Sequence, residues 1–351
     1  MKAILLAGGK GTRLRPLTLH TPKPIVPIFD RPFLTYQIDL LKQVPEIDEV
    51  ILSLNYQPRR LEETFGDGSG LGVRLRYVVE PSPLGTGGAI RFAAKGIDDT
   101  LVVFNGDVMT AVDVAAVVRR HRERRAKATI VLTPVENPSA YGLVETGEDG
   151  SVRRFLEKPA ADEITCDTIN AGIYVLEPST FDRIPKDAPY SIERGYFPSL
   201  VERGETFVAY VDRGYWIDIG TPEKYLGVHR DIFAGRCPLG PAGIASGRPV
   251  VSPEAKIEPG AVLEGPCFID AGAHVKSGAR IGALSVIGRT VVVEEDAQVR
   301  GAIVWPNSRI GRDAVVDGAL VGRGCHVGRE ARVGPTAILG DKTALTDFTQ
   351  V

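Results

Sequence analysis

An aliphatic residue recurs every six positions in the C-terminal third of the chain, and this period restricts the possible folds more than any other feature. The series runs without a miss through Ile257, Leu263, Ile269, Val275, Ile281, Ile287, Val293 and Val299. Glycine, proline or small residues fall between many of its members, where turns are expected. A fixed hexapeptide period is typical of a parallel β-helix, in which each coil stacks its aliphatic residues on those of the next.

The period slips by one residue near Trp305, which predicts an adjusted corner at that point. It resumes through Ile310, Val321, Val327 and Val333. We place the β-helix at residues 251–351. Because a β-helix ends in open coils with unpaired strand edges, we expect the repeats to supply a contact in a homo-oligomer.

The preceding part of the chain has a different pattern, in which short apolar runs alternate with amphipathic stretches. This alternation predicts an α/β domain with a Rossmann-like, mostly parallel sheet. Strands are predicted at residues 49–55, 73–79, 100–105 and 127–134, and helices at residues 34–44, 89–95 and 112–125. Residues 236–250 are rich in proline and glycine and form a connector, so the first domain covers residues 1–235.

The first apolar run, residues 2–7, opens directly into a glycine-rich loop. The run is typical of a buried parallel strand, and glycines let backbone N–H groups approach an anion closely. Arg13 adds a planar cation suited to phosphate oxygens, and Lys23 follows between two prolines. The loop lacks the Gly-Lys-Ser/Thr of a Walker loop and the third glycine of the dinucleotide fingerprint. We expect a polyphosphate site of another kind, with a solvated glycine turn as the alternative.

The string Gly8-Gly9-Lys10-Gly11-Thr12-Arg13-Leu14-Arg15-Pro16-Leu17-Thr18, followed by Thr21-Pro22-Lys23-Pro24, resembles the signature of the sugar-1-phosphate nucleotidyltransferases, or nucleotide-sugar pyrophosphorylases. Members join an NTP to a sugar 1-phosphate and release pyrophosphate. Many of them carry a left-handed hexapeptide-repeat β-helix behind the catalytic domain. The resemblance therefore implies a left-handed β-helix here, since the period alone does not give the handedness.

Further motifs follow in family order up to about residue 233, and they imply a set of nucleotide-binding residues. The set is Leu6, Ala7, Gly8, Gly9, Gly11, Thr12, Arg13, Lys23, Glu80, Gly85, Thr86, Gly106 and Asp107. Backbone groups of residues 85–88 are expected to read base edges, and Glu80 to accept a hydrogen bond from a base amine. Without the resemblance, residues 80–88 would be interpreted as a turn at the start of a helix, and Asp107 as a residue that caps the next helix.

The resemblance also implies a sugar-phosphate site and a metal site. The sugar-phosphate residues are Tyr141, Gly142, Glu157, Lys158, Asn170 and Gly172, although Glu157-Lys158-Pro159 alone is typical of a solvated turn. Asp107 and Asp218 match the two aspartates that hold Mg²⁺ against nucleotide phosphates, which suits the preference of this ion for oxygen ligands. The implied catalytic set is Arg13, Lys23, Asp107, Lys158 and Asp218.

Residues 54–58, 138–142, 190–198 and 218–222 resemble family members that use GTP and mannose 1-phosphate to make GDP-mannose. Glucose 1-phosphate with UTP or dTTP is the alternative within the enzyme class. A regulatory subunit that senses nucleotide sugars is an alternative outside it, and the repeats alone are also compatible with an assembly module. A histidine base of the hexapeptide acyltransferase kind, at His274 or His326, is a further alternative for the repeats.

Composition excludes several other classes of protein. A formal net charge of −2 and 25% charged residues give no indication of a nucleic-acid-binding surface. The four cysteines are far apart and fit no metal spacing, so we expect reduced thiols in a cytoplasmic protein. No apolar run approaches the length of a transmembrane helix or signal peptide. We expect His20 and His229 on the surface.

Overall fold

The computed structural model describes residues 1–351, and their packing forms two compact units. The first unit comprises residues 1–9 and 34–218, and the second comprises residues 10–33 and 219–351. Up to residue 233 the elements are β1 (Lys2–Leu6), β2 (Pro27–Ile28), β3 (Arg31–Pro32), α1 (Phe33–Leu41), β4 (Glu49–Leu54), α2 (Pro58–Phe65), β5 (Arg74–Val79), α3 (Gly85–Ala93), β6 (Leu101–Asn105), β7 (Val108–Thr110), α4 (Val114–Glu123), β8 (Ala128–Pro134), β9 (Gly142–Thr146), β10 (Val152–Glu157), β11 (Thr168–Leu176), α5 (Phe197–Glu202), β12 (Phe207–Val211), β13 (Trp216–Asp218) and α6 (Pro222–Phe233).

A nine-stranded sheet forms the centre of the first unit. Seven strands follow the order β10-β9-β11-β6-β1-β4-β5, and β8 pairs with both β11 and β12. The strands β5, β4, β1 and β6 run parallel, whereas β11 runs antiparallel to β6 and β8. This arrangement confirms the predicted fold class. Because β1 lies between two strands, its central residues are fully buried, which explains its uninterrupted apolar sequence.

The repeats of the second unit form short strands. These are β14 (Val250–Val251), β15 (Lys256–Ile257), β16 (Val262–Leu263), β17 (Phe268–Ile269), β18 (His274–Val275), β19 (Arg280–Ile281), β20 (Val286–Ile287), β21 (Val292–Val293), β22 (Gln298–Arg300), β23 (Ile303–Val304), β24 (Arg309–Ile310), β25 (Val315–Asp317), β26 (Leu320–Val321), β27 (His326–Val327), β28 (Arg332–Val333), β29 (Ile338–Leu339) and β30 (Ala344–Leu345). Each strand pairs in parallel with the third strand along the chain, which gives three sheets. The second residue of most strands points into one continuous aliphatic core, so the predicted parallel β-helix is confirmed.

The β-helix contains two shortened steps, of which the sequence reading located the first. The rung residues Val299 and Val304 are five positions apart, and so are Val316 and Val321. Both steps follow strands of the same sheet, because β22 and β25 pair directly with each other. An ion pair between Arg300 and Asp317, 2.8 Å long, joins the two shortened corners. The stacking of one shortened coil on another keeps the three sheets in register.

Residues 10–33 pack within the second unit. They contain three single 3₁₀ turns, and the hairpin of β2 and β3 follows them. The ring of Phe29 contacts the rings of His229 and Phe233 on α6, each at a centroid distance of 5.0 Å, and that of Phe268 in the β-helix at 5.4 Å. This aromatic cluster joins the N-terminal segment, α6 and the first coils into one core.

The expectation that His229 lies on the surface is wrong, because its side chain is only 1% exposed. Nδ1 lies 2.9 Å from the carbonyl oxygen of Tyr225, and Nε2 accepts the N–H of Phe29 at 3.3 Å. These partners define a neutral ring protonated at Nδ1. Burial lowers the pKa of His229 to about 4.

All four cysteines are free thiols, as the sequence predicts. Burial raises the pKa of Cys237 to about 11 and that of Cys267 to about 12, so both stay protonated at neutral pH. None of the helices combines the length and the apolar character that crossing a bilayer requires.

Candidate active site

The carboxyl ends of the parallel strands meet at one edge of the sheet in the first unit. Leu6 of β1 pairs with Ser53 of β4 on one side and with Asn105 of β6 on the other. The chain continues into the glycine loop after β1 and into Gly106 and Asp107 after β6. Because sheets of this kind bind ligands beyond the carboxyl ends of their strands, the structure places these predicted residues at the expected edge.

Two glycines at this edge are required by the packing of the backbone. The N–H of Gly106 donates to the carbonyl oxygen of Leu6 at 3.0 Å. A Cβ atom on Gly106 would lie 2.3 Å from that oxygen, and a Cβ atom on Gly8 would lie 3.0 Å from the backbone nitrogen of Asn55. Side chains at these positions would force the two loops apart, so Gly8 and Gly106 set how closely the loops approach each other.

The two predicted metal ligands are brought to the same end of a small ribbon. Strands β7 and β13 pair in an antiparallel manner, with Asp218 directly opposite Val108. Asp107 immediately precedes Val108 in the chain, so the two carboxylates come from adjacent positions across the ribbon. The hydroxyl of Tyr141 donates to Oδ1 of Asp218 at 3.3 Å.

These two carboxylates fit a divalent cation that also takes ligands from its substrate. The structure contains no group of three or more His, Cys, Asp or Glu side chains arranged to hold a metal ion. Mg²⁺ is typically bound through one or two carboxylates together with substrate phosphates and waters, and the pair formed by Asp107 and Asp218 matches that pattern.

The turn that carries Asp107 is held by Gln37, a residue that sequence reasoning missed. Nε2 of Gln37 donates to the carbonyl oxygens of Asn105 and Val108 at 2.9 and 2.8 Å. Gln37 is 1% exposed and lies on α1 among buried apolar residues. A glutamine among the apolar residues of a predicted helix was the available signal.

Asn105 is a second residue that the sequence reasoning passed over. Its Oδ1 atom is buried without a hydrogen-bond partner. Its Nδ2 atom faces Gly172, where a Cβ atom would lie 2.9 Å away and where φ is +76°. The predicted residue Asn170 shapes the same turn, because its Oδ1 accepts the N–H of Gly172 at 2.9 Å and its Nδ2 donates to the Tyr174 hydroxyl at 2.9 Å.

The predicted sugar-phosphate residues gather around the end of β10. Lys158 adopts a left-handed backbone conformation with φ of 54°, and its N–H donates to the carbonyl oxygen of Tyr141 at 3.0 Å. The Lys158 side chain is exposed at this turn. A Cβ atom on Gly142 would lie 3.1 Å from Oε2 of Glu157. Burial, and secondarily the charge of Glu193, raises the pKa of Glu157.

The segment at residues 80–88 is more strongly bonded to the protein than the sequence predicts. Oε1 of Glu80 accepts the Ser53 hydroxyl at 3.1 Å, and its Oε2 accepts the N–H of Leu84 at 3.0 Å. Helix α3 begins at Gly85, four residues before the predicted start. The N–H groups of Gly87 and Gly88 both donate to the carbonyl oxygen of Tyr190, at 2.9 and 3.2 Å. Because these two donors are engaged, base reading stays a prediction for the backbone of Gly85 and Thr86.

Thr86 joins the start of α3 to the following loop. Its hydroxyl donates to Oε2 of Glu193 at 2.8 Å and accepts the N–H of Ile192 at 3.0 Å. Glu193 also accepts the Ser191 hydroxyl at 2.7 Å. The side chain of Thr86 therefore orders the loop at residues 190–193. The charge of Glu193 in this loop contributes to the raised pKa of Glu157.

The remainder of the glycine loop belongs to the second unit, where Gly11 is left-handed with φ of 60°. The Thr18 hydroxyl donates to the carbonyl oxygen of Gly11 at 2.7 Å and closes the loop. A left-handed residue followed by a right-handed turn aligns successive N–H groups in the manner of an anion-binding nest. In the turn Thr12–Leu14, Leu14 is buried and Arg13 is exposed, so the apolar side chain anchors the charged one.

Lys23 lies at the start of the 3₁₀ turn Lys23–Ile25 and is 8% exposed. Pro22 precedes it with an extended backbone, and Pro24 occupies the next helical position. The two prolines limit the backbone freedom of this lysine in both states of the chain.

Comparison with known sequences identifies two families along the chain. Residues 2–235 match the Nucleotidyl transferase family, and residues 263–351 match the GMPPB C-terminal domain. The chain is 41% identical to a mannose-1-phosphate guanylyltransferase of Mycobacterium tuberculosis, covering 90% of this chain and 82% of the relative. It is 33% identical to a UTP–glucose-1-phosphate uridylyltransferase of Synechocystis, covering 92% of this chain and 88% of that relative.

A similar solved structure is that of HddC from Yersinia pseudotuberculosis complexed with GMP-PN. It is 30% identical, with a TM-score of 0.56, and covers 66% of this chain and 99% of the other. The family match extends over more than half of the chain, and its boundaries include the strand ends, the paired aspartates and the turn at Lys158. The chain belongs to the Nucleotidyl transferase family.

Proposed function

We propose that this protein transfers a guanylyl group from GTP to mannose 1-phosphate, forming GDP-mannose and pyrophosphate. The structural observation that carries the chemistry is the pairing of β7 with β13, which places Asp218 beside the turn of Asp107. The identity of the substrates is supported by the 41% identical relative, named a mannose-1-phosphate guanylyltransferase. The GMP-PN in the HddC complex supports a guanine nucleotide.

In this reaction a phosphate oxygen of the sugar phosphate attacks the α-phosphorus of the NTP. The new bond joins that oxygen to the α-phosphorus, and the bond from the α-phosphorus to the bridging oxygen breaks, releasing pyrophosphate. A phosphate monoester is already an anion at neutral pH, so no general base is needed. The protein therefore contributes positioning and charge stabilisation.

The loop residues Arg13 and Lys23 would stabilise the charge of the phosphates. The planar guanidinium of Arg13 suits two phosphate oxygens at once, and its exposed position on a turn anchored by Leu14 leaves it accessible. Lys23 supplies a point charge on a segment whose backbone is restricted. Both roles follow from the resemblance of the loop to the family signature.

Asp107 and Asp218 would hold Mg²⁺ when it is bound. Mg²⁺ neutralises phosphate charge and polarises the oxygens that it contacts. The contribution of the protein is to keep the two carboxylates at adjacent positions of the β7–β13 ribbon. The Tyr141 hydroxyl fixes Oδ1 of Asp218, and Gln37 fixes the backbone on either side of Asp107.

Lys158 would bind the phosphate of mannose 1-phosphate, and Glu157 would accept a hydrogen bond from a sugar hydroxyl. The two residues are adjacent in the chain, and Lys158 adopts a left-handed backbone conformation. Tyr141, Gly142, Asn170 and Gly172 shape the surrounding loops.

The second candidate is transfer of a uridylyl group to glucose 1-phosphate. The uridylyltransferase of Synechocystis is 33% identical and covers 92% of this chain. This similarity favours UTP with glucose 1-phosphate over other combinations of NTP and sugar phosphate. A regulatory subunit without catalysis is the third candidate, although all five residues of the expected catalytic set are present.

A matrix of four NTPs against mannose 1-phosphate and glucose 1-phosphate, read by pyrophosphate release, tests the proposal. We expect the highest kcat/KM for GTP with mannose 1-phosphate. A maximum at UTP with glucose 1-phosphate would establish the second candidate. No turnover in any combination, together with micromolar binding of GDP-mannose by calorimetry, would establish the regulatory one.

The proposal also assigns catalysis to residues 1–235, with residues 251–351 as a separate β-helical domain that makes a homo-oligomer contact in the cytoplasm. Two valines on the first coils, Val251 and Val262, are exposed. They support a contact between copies of the chain at these coils. Light scattering on the full-length chain and on a Val251→Lys, Val262→Lys variant tests this contact. A wild-type monomer would contradict it.

A further inference from the structure

The β-helix contacts the segment that carries Lys23 from a position far away in the sequence. The hydroxyl of Thr21 donates to Oδ2 of Asp341 at 2.6 Å, across 320 positions of sequence. Thr21 is 4% exposed and Asp341 is half-buried, and hydrogen bonds to an ionised carboxylate are stronger than those between neutral groups. It lies two residues before Lys23.

Asp341 is itself held rigidly at a corner of the β-helix. Its Oδ1 atom accepts the N–H of Arg323 at 2.9 Å, on the adjacent coil. The neighbouring Gly340 lies against the same segment, because a Cβ atom there would be 3.1 Å from Cβ of Pro16. The corner of the β-helix therefore lies close to Pro16 as well as to Thr21.

A second contact holds the chain on the other side of Lys23. The indole N–H of Trp305 donates to the hydroxyl of Tyr225 at 2.9 Å. That hydroxyl in turn donates to the carbonyl oxygen of Pro27. Trp305 is 1% exposed and lies in the β-helix, while Tyr225 lies on α6. The indole N–H therefore orients the buried Tyr225 hydroxyl, which in turn holds the carbonyl oxygen of Pro27.

We propose that the β-helix is a positioning element for the nucleotide-binding segment, with Asp341 and Trp305 as positioning residues. The turn Lys23–Ile25 lies between its two attachment points, Thr21 and Pro27. The role of the β-helix in nucleotide binding rests on the proposed function. Its ordering of the turn Lys23–Ile25 does not. An active site has to hold its charged groups to within about half an ångström, and a segment of single turns cannot supply that rigidity alone.

The test uses full-length variants of Thr21 and Asp341 together with a matched control. Thr21→Val removes the hydroxyl and keeps the shape, whereas Thr21→Ser keeps the hydroxyl. Asp341→Ala removes the acceptor. Asp347→Ala is the control, because Oδ1 of Asp347 accepts the N–H of Arg329 at 2.8 Å in an equivalent corner, and its other oxygen pairs with Arg329.

We expect Thr21→Val and Asp341→Ala each to raise the KM for the NTP about tenfold, the factor typical of one charge-assisted hydrogen bond. The KM for the sugar phosphate should change less than twofold. Thr21→Ser should restore the wild-type value, Asp347→Ala should retain it, and the Thr21→Val, Asp341→Ala double variant should be no worse than either single variant. Equal effects of Asp341→Ala and Asp347→Ala would show a merely structural role and overturn the proposal.

Hydrogen exchange gives a readout that does not depend on activity. The N–H groups of Ile25 and Val26 donate to Pro22 and Lys23 and report directly on the Lys23 turn. We expect faster exchange in peptides that cover residues 20–28 in Thr21→Val and Asp341→Ala, and wild-type exchange in Asp347→Ala. Unchanged exchange in all variants would overturn the proposal even if the wild-type enzyme is active. Faster exchange with an inactive wild type would refute the proposed function and retain the positioning.

Discussion

The side-chain nitrogen of Gln37 donates a hydrogen bond to the carbonyl oxygen of Val108 at 2.8 Å. The same nitrogen donates to Asn105 on the other side of the turn. Since both acceptors are carbonyl oxygens, they determine the orientation of the amide and leave its own oxygen buried without a partner. An unpaired buried acceptor is unfavourable, and it is retained here beside the turn that carries Asp107.

Replacing Gln37 with methionine should lower kcat about tenfold and raise the Mg²⁺ concentration needed for half-maximal rate. Methionine keeps the length of the side chain but removes the donor that two carbonyl oxygens share, a loss of roughly 1–3 kcal/mol. Steady-state assays over a Mg²⁺ series measure both effects. Gln43→Met is the control, because Gln43 accepts the N–H of Val114 at 2.8 Å away from this turn. Wild-type Mg²⁺ dependence in Gln37→Met would contradict the assigned role.

The substitutions Asp107→Asn and Asp218→Asn should each reduce turnover by about a hundredfold or more while the protein stays folded. An amide keeps the shape of the carboxylate but loses the charge that binds the metal ion. Pyrophosphate release and thermal unfolding on the same preparations separate the two effects. Asp212→Asn, a half-buried aspartate shortly before β13, serves as the control. Near-normal Mg²⁺-dependent activity in either site variant would refute the metal assignment.

The variant Arg13→Lys should lower kcat roughly a hundredfold, or about 3 kcal/mol, because an ammonium cannot replace a planar bidentate donor. Arg15→Lys, at a nearby exposed position of the same loop, should retain wild-type kinetics. Both are assayed at saturating sugar phosphate. Identical kinetic constants in the two variants would mean that Arg13 is a solvated loop residue.

Removal of the Lys158 side chain should raise the KM for the sugar phosphate and leave that for the NTP unchanged. Because φ is 54° at this position, glycine and alanine test different properties. Lys158→Gly removes the charge and relieves the left-handed turn, whereas Lys158→Ala removes the charge and keeps the Cβ that already strains the wild-type turn by roughly 1 kcal/mol. We expect the two variants to have equal KM values, and we expect the alanine variant to have a lower melting temperature than the glycine variant. A change confined to the NTP constant would contradict the assignment.

The buried His229 should make the protein less stable in mild acid. Its folded pKa of about 4 lies below the ordinary value of 6.5, so the unfolded chain binds more protons between these values. The stability contributed by the neutral ring is complete above pH 6.5 and is lost as the pH falls toward 4, a change on the order of 3 kcal/mol. Protonation would also remove the acceptor for the N–H of Phe29.

Urea unfolding between pH 7 and pH 5 measures this loss. His229→Asn should be less stable than wild type at pH 7 but should lose less stability on acidification. His20→Gln, at an exposed position, should follow the wild-type curve. Parallel curves for wild type and His229→Asn would show that other groups cause the acid sensitivity.

The parts of the structure that the sequence predicted are those in which the information is local or periodic. The hexapeptide series determines every rung from Ile257 to Val299, because each coil makes the same contacts. The strand ends at Leu6 and Asn105 were predictable from apolar runs that stop at glycine. The second shortened step, at Val316, was not located, because Val315 and Val316 are both apolar and either residue fits the core position.

Long-range partners were not predictable from one sequence. Gln37 acts on a turn almost 70 residues away, and nothing near it in the chain indicates that target. His229 was assigned to the surface because helical periodicity gives the faces of α6 but not what packs on them. The glycine-rich entrance to α3 was predicted as open backbone, whereas its donors are used by Tyr190, more than 100 positions later.

The hydrogen bond from Thr21 to Asp341 has a consequence for the order of events during synthesis. A nascent chain that has emerged up to residue 235 contains the complete glycine loop but neither Trp305 nor Asp341. The β-helix then grows coil by coil, and the coil that holds Thr21 follows more than 100 residues later. The segment that carries Lys23 therefore reaches its final conformation only after the coil that contains Asp341 has been made, and we expect a chain that stops before residue 341 to bind nucleotide less well.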